Sequence, residues 1–335
     1  MQRRNNILFS LLATSVVLLF ACDLVVGTVR ISLSDVAGAL FGSDTNIALQ
    51  SIVFDIRLTK AIMAIVAGFA LSISGLQMQT LFRNPMAGPY VLGVSAGASF
   101  GVALFLLGAP LVGIAASGTL GTLGTAGAAW IGAATVLLVV VALARRIKDI
   151  MVILILGMML SSALGAIVEI LQYLSNEQSL KSFVIWTMGS LGDVTRAQLA
   201  IIAPLVTLGI ALSVATIKPL NTLLLGETYA RTSGINLPRT RRTILASTTL
   251  LAGTITAFCG PVGFVGLAVP HIARMVFRSA DHRILLPASA LIGGGMMLVG
   301  DIISKWLLLP INTITALMGI PIVVYIVLRN RNLMQ

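Results

Sequence analysis

Charge is scarce in this chain. Of its 335 residues only 10% are Asp, Glu, Lys or Arg, whereas a soluble domain carries about 25%. So few charges cannot clothe a globule of this size. With 57% hydrophobic residues and a mean hydropathy of +1.02, a soluble enzyme is excluded, as is a disordered or fibrous protein. Cysteine is nearly absent. Cys22 and Cys259 each lie in an apolar run with no C-x-x-C spacing, so neither a disulfide framework nor a metal site is expected. Histidine is limited to His271 and His282, no H-E-x-x-H occurs, and no Lys follows a Gly. The last absence excludes a Walker A phosphate loop. A membrane protein remains.

What is there is a series of charge-free runs: residues 5–22, 61–82, 84–144, 150–168, 197–217, 243–273, 284–300 and 306–328. A helix needs about 20 apolar residues to cross the hydrocarbon. Residues 84–144 accommodate two crossings, joined by a turn in a Gly-rich middle (Gly108, Pro110, Gly113, Gly118, Gly121, Gly124). Residues 243–273, interrupted by Gly260, Pro261, Gly263 and Gly266, form either one long helix or a full one and a short one. Parity selects ten crossings over nine, because Arg3/Arg4 and Arg329/Arg331 both belong on the cytoplasmic side. The same assignment places Arg83, the Arg145/Arg146/Lys148 group, residues 218–242 and residues 274–283 inside. It leaves Arg30, Arg57, Lys60, Lys181, Arg196 and Lys305 outside. The net charge of +11 is thus a positive-inside signature, and no nucleic-acid partner is expected. Arg3/Arg4 open the chain as a signal peptide would, but no small-residue cleavage site precedes Asp23, and the first run reads as a retained helix.

Two segments carry Gly and Pro at membrane depth: residues 83–89 (Arg-Asn-Pro-Met-Ala-Gly-Pro) leading to Gly93, and residues 259–266 (Cys-Gly-Pro-Val-Gly-Phe-Val-Gly) leading to Pro270-His271. Non-helical backbone at that depth must be satisfied by protein or by cavity water. Each follows a full helix and precedes a shorter one, with opposite sidedness, which is the mark of an inverted repeat. Two unrelated loops are the plainer alternative. The four-residue spacings Gly93/Gly97/Gly101 and Gly157/Ser161/Gly165 serve helix packing. Within or near the spans stand Glu169, Asp301 and Lys305. Asp301 and Lys305, four apart, are either a functional intramembrane pair or a local ion pair near the outer interface.

Gly93-Val94-Ser95-Ala96-Gly97 matches a G-x-S-x-G nucleophile pattern. A nucleophilic Ser needs a base; His282 is expected in a cytoplasmic loop beside Asp281 and Arg283, and His271 follows Pro270 within a helix, so the match is read as chance. An ion-coupled carrier would show several embedded carboxylates, and a channel a ring of pore-lining charge; the chain offers little of either. The stretch 218–239 is too polar to span, and residues 223–233 read as one short helix ended by Gly234. That helix is either a membrane-surface element or a docking element.

These residues resemble the FecCD family of permease subunits in type II ABC importers for iron–siderophore complexes, haem and vitamin B12. The likeness is carried by Arg57-Leu58-Thr59-Lys60, by residues 83–89 with Leu92-Gly93-Val94, and by Leu225-Gly226-Glu227 with Tyr229-Ala230-Arg231 and Gly234-Ile235. Residues 260–267 with Pro270-His271 and Arg274, and Asp281-His282-Arg283, continue it over nearly the whole chain. The resemblance implies an all-α polytopic membrane protein of ten transmembrane helices with an inverted repeat, one permease domain over residues 1–335, in a bacterial cytoplasmic membrane with both termini inside. It implies a transport subunit and not an enzyme, without a cofactor of its own, since ATP and Mg are bound by a partner ATPase. Expected partners are a second permease copy (the same chain or a related one), two ATP-binding subunits, an external substrate-binding protein and membrane lipid. The ATP-binding subunits would dock on a coupling loop of about 218–242, through Leu225, Gly226, Glu227, Tyr229, Ala230, Arg231 and Gly234. Arg57, Lys60 and Lys305 would meet acidic residues of the binding protein; relatives more often carry Arg at the last two, and Lys lacks the bidentate fork. Path or gating candidates are Asn84, Pro85, Gly93, Gly260, Pro261, Gly263 and Asn312, the last standing where relatives have Gly. An iron–siderophore is the first expected cargo, then haem, then cobalamin, with an ATP-independent carrier as the rival function.

Overall fold

The computed structural model describes residues 2–331 except 28, 30, 42–46, 112–118, 145, 146 and 148. Arg30, Gly113, Gly118 and the Arg145/Arg146/Lys148 group therefore lie outside the described residues. Backbone in hydrocarbon must satisfy its own N–H and C=O groups, and the regular structure among the described residues is helical throughout. In chain order the helices are α1 (Gln2–Val25), α2 (Leu33–Phe41), α3 (Ile47–Leu81), α4 (Val94–Gly108), α5 (Thr119–Ala144), α6 (Ile150–Leu174) and α7 (Glu177–Thr187). They continue with α8 (Arg196–Ala215), α9 (Ile217–Leu224), α10 (Glu227–Thr232), α11 (Leu237–Cys259), α12 (Val265–Phe277), α13 (His282–Leu307) and α14 (Ile311–Arg331). Seven of them, α1, α3, α5, α6, α8, α11 and α13, are long and apolar enough to cross a membrane. With the shorter apolar helices α4, α12 and α14 the set accommodates the ten expected crossings. Residues 243–273 divide into α11 and α12, a full helix and a short one.

Several helices start where a side chain can take an orphan N–H. Asp149 caps Met151 N–H ahead of α6, Asn176 caps Ser179 N–H ahead of α7, and Asn236 caps Arg239 N–H ahead of α11 with Pro238 in the first turn. Thr195 and Gln198 form a reciprocal capping box at α8. Asp281 caps Arg283 N–H, so His282 is the first residue of α13 and is buried, not a loop residue as expected.

The centre of the bundle is α3: 78% of its apolar window is buried, against 17% for α1 and 22% for α6. Apolar burial gives helices no preference for one another over lipid, so close backbone approach has to supply contact. Gly68 of α3 lies against Gly293 of α13, and Gly97 and Gly101 of α4 lie against Gly132 and Ala128 of α5, each too close for a side chain. The packing role expected of the small-residue stripes holds at these positions and at Gly157, which abuts Leu92; a Cβ on Gly165 would meet nothing. We call the end where α1 begins the near end and the end where it finishes the far end. Met63, Leu71, Leu76, Ile255, Val265 and Met297 belong to one buried cluster around α3.

Candidate functional site

Both helix breaks have part of their backbone satisfied by protein. At the first, Arg83 takes a left-handed conformation (φ 48°) after α3, and Asn84 Oδ1 accepts Met86 N–H at 2.9 Å, an Asx turn. Pro85 C=O lies 2.8 Å from His271 Nε2 and accepts its N–H, joining the break to α12. Gly93 (φ 81°) then admits the chain to α4. At the second, Gly260 (φ 73°) ends α11 and Phe264 (φ 66°) opens α12. Gly263 N–H donates to Asn312 Oδ1 at 2.9 Å, and Ser190 N–H donates to Cys259 C=O at 2.8 Å. The breaks meet inside the bundle: the Tyr90 hydroxyl, on the first, lies 3.2 Å from Thr256 Oγ1 and accepts Val262 N–H at 3.4 Å. Pro89 packs on Gly266. Gly260, Pro261, Gly263 and Asn312 are thus brought together with Tyr90, while Asn84 and Pro85 sit apart with His271.

At the far end the three expected docking cations are drawn inward. Lys305 Nζ donates to Asp23 Oδ1 (2.9 Å), to Asp23 C=O (3.0 Å) and to Asp301 Oδ2 (2.8 Å). Lys60 Nζ reaches Asp301 Oδ1 at 3.0 Å. Arg57 is buried and donates to the carbonyls of Leu24, Val25 and Val29, closing the C-terminal turn of α1. All three expected docking cations thus have partners within the chain. Bilayer-depth carboxylates need paired cations, and Asp23 and Asp301 claim Lys305 and Lys60. Of the two, the Lys60 side chain keeps 19% exposure and Lys305 7%. A cavity of about 290 Å³ opens there, lined by Lys60, Asp301, Asp193, Ser190 and Ser304.

At the near end the expected single helix over 223–233 is two. Gly226 (φ 117°) separates α9 from α10, a conformation only Gly adopts without strain, and Gly234 (φ 80°) ends α10. Leu220 and Leu223 anchor α9 in the bundle, and Ala230 is buried from α10. Leu224, Leu225 (67% exposed) and Tyr229 (52% exposed) face outward as an apolar group. Glu227 pairs with Arg241 at 2.6 Å and Arg231 is exposed. Arg231, Arg241 and Arg242 line a neighbouring cavity of about 950 Å³.

A profile of the FecCD transport family matches residues 14–329. This chain belongs to the FecCD transport family. It is 33% identical to the hemin transport system permease protein HmuU of Yersinia pestis over 87% of each chain. It is 34% identical to the vitamin B12 import system permease protein BtuC of Shigella boydii over 98% of each. Among solved structures, a metal-chelate type ABC transporter in an inward-facing conformation superposes with a TM-score of 0.83 at 28% identity, covering 96% of this chain and 99% of the other. This FecCD chain is therefore a multi-pass inner-membrane permease subunit of an ABC transporter and not itself an enzyme.

Sequence reasoning missed Asp23 and Tyr90. Asp23 carried a signal, an acid at the very end of an apolar run. Tyr90 carried none, since its partners Thr256 and Val262 lie far away in the chain.

Proposed function

We propose that this permease is the membrane half of an importer for a metal-chelate cargo, with an iron–siderophore as the first candidate, then haem and cobalamin. The observation that supports it best is the near-end segment: an exposed apolar group (Leu224, Leu225, Tyr229) flanked by Glu227 and Arg231 on two short helices anchored in the bundle. Such a group suits docking of two ATP-binding subunits, which hold ATP and Mg, through residues 225–234. On this reading both termini and the near end are cytoplasmic, in keeping with the positive-inside pattern. An external substrate-binding protein docks at the far end, where Lys60 is the accessible cation beside the cavity and Arg57 and Lys305 hold its surroundings.

A second permease copy, identical or related, covers α6. The support is an exposed carboxylate, Glu169, on an outward apolar face with Ile170 and Tyr173, an arrangement that bare lipid disfavours. Alternating access then follows when ATP closes the ATPase pair and shifts the near-end segment. The test is ATP hydrolysis by the permease co-purified with its ATPase in lipid, with ferric siderophores, haem and cobalamin each presented on the cognate binding protein. Stimulation by one ligand class is expected; absence of any co-purifying ATPase would overturn the reading.

A further inference from the structure

The last turns of α3 and the residue just past it present three polar side chains, Gln77, Thr80 and Arg83, toward the segment that runs from Thr216 through α9. Gln77 Nε2 donates to Thr216 Oγ1 at 3.2 Å, and Arg83 Nη2 donates to Leu223 C=O at 3.0 Å. The middle contact is indirect and passes through a histidine. Asn221 Nδ2 donates to Asp281 Oδ1 at 2.6 Å, which fixes its amide so that Oδ1 is the acceptor. Asn221 Oδ1 then accepts both the main-chain N–H of His282 (2.8 Å) and its Nδ1–H (2.7 Å). The opposite ring nitrogen, Nε2, lies 2.8 Å from Thr80 Oγ1 and accepts its hydroxyl proton, which also faces Leu76 C=O at 3.1 Å. Thr80 and His282 are both buried, so water cannot replace the bond between them. Three residues past Thr80, Arg83 turns left-handed and the first break begins.

Resting on the docking reading of residues 225–234, we infer that the chain Asn221–His282–Thr80, alongside the direct Arg83–Leu223 bond, carries movement of α9 to the first helix break, with His282 as its positioning residue. Leu220 and Leu223 could move as a greasy contact and slide. A hydrogen-bonded imidazole between two fixed partners has one geometry, and it transmits displacement instead of absorbing it. The link also explains why His282 is closed inside the bundle at the head of α13. From there it touches α9 on one side and α3 on the other.

The experiment uses the full permease with its co-purified ATPase in lipid. An environment-sensitive label is placed on Met86→Cys, an exposed position in the first break, with Cys22→Ser removing the exposed native thiol. ATP plus vanadate should change the label's signal in the parent protein. Thr80→Val should reduce that change at least about fivefold, the lower end of ordinary coupling, while ATP hydrolysis continues. Thr80→Ser, which keeps the hydroxyl, should restore it. Asn221→Ala breaks the link from the half-buried α9 side and serves if Thr80→Val does not assemble. A signal change that survives in Thr80→Val or Asn221→Ala, or that Thr80→Ser fails to restore, would overturn the link. So would a parent protein whose label does not respond while ATP is hydrolysed. Failure to find any co-purifying ATP hydrolysis would instead overturn the docking reading on which the link rests.

Discussion

Asn312 Oδ1 accepts the N–H of Gly263 at 2.9 Å, so the first turn of α14 completes a backbone group that the second helix break leaves open. Removing the acceptor strands a part-buried N–H, a loss of about 1–3 kcal/mol. Asn312→Ala should lower the thermal unfolding midpoint of the detergent-solubilised permease, and Asn312→Asp, which keeps an acceptor oxygen, should recover most of the loss. Equal midpoints for Ala and wild type would show that the bond is not made.

The far-end ion cluster and the exposed pair Asp55–Arg196 have similar distances, 2.8–3.0 Å and 3.0 Å, and opposite burial. Breaking the buried one leaves Asp23 without its cation, so Lys305→Met should destabilise by about 3–5 kcal/mol. Arg196→Ala, at a pair about half exposed, should change stability by about 1 kcal/mol or less. Urea or heat titrations of the two variants side by side decide this; comparable losses would contradict the burial argument.

Glycines in the two stripes should divide by surroundings and not by motif. A methyl at Gly97 runs into Gly132 and Val136, and overpacking of this kind costs about 1–3 kcal/mol. Gly165→Ala meets open space and should stay within about 0.5 kcal/mol of wild type. Thermal midpoints of the two Ala variants check the contrast.

Glu227→Ala breaks its pair with Arg241, and Arg231→Ala removes an exposed cation beside it. Both should reduce uptake and binding-protein-stimulated ATP hydrolysis several-fold while leaving external binding-protein affinity within about twofold, because the substitutions lie at the opposite end of the bundle. Such selective loss fits a coupling free energy of about 1–3 kcal/mol. Parallel loss of affinity would argue against a docking role for this segment.

Much of the fold was legible because a bilayer leaves few options. Charge-free runs had to be helices, and Gly-Pro clusters at 83–89 and 260–266 had to be breaks. The end of α10 at Gly234 followed from the same punctuation, whereas the division of 243–273 needed the parity of the basic termini. Other features depend on contacts between residues far apart in the chain. Gly226 could be read as motif, but not as the φ 117° pivot that splits α9 from α10. His282 looked like a loop residue because its neighbours Asp281 and Arg283 are charged; the N-cap by Asp281 and the Asn221 amide turned it inward. Sequence shows the sidedness of Arg57, Lys60 and Lys305 but not their burial or their partners within the chain. The acids that claim the two lysines, Asp23 and Asp301, come from α1 and α13, far from Lys60 in sequence.

The central claim is that transport through this permease is driven by ATP on a partner chain. The most direct measurement is uptake of ferric siderophore, haem or cobalamin, each on the cognate binding protein, into lipid vesicles holding the assembled complex. One set of vesicles is loaded with ATP and Mg, and another is free of ATP but carries imposed proton and sodium gradients. The account predicts uptake of one ligand class only with ATP, abolished when the gradients act alone. Uptake that persists on a gradient without ATP would contradict it and assign the chain to ion-coupled transport.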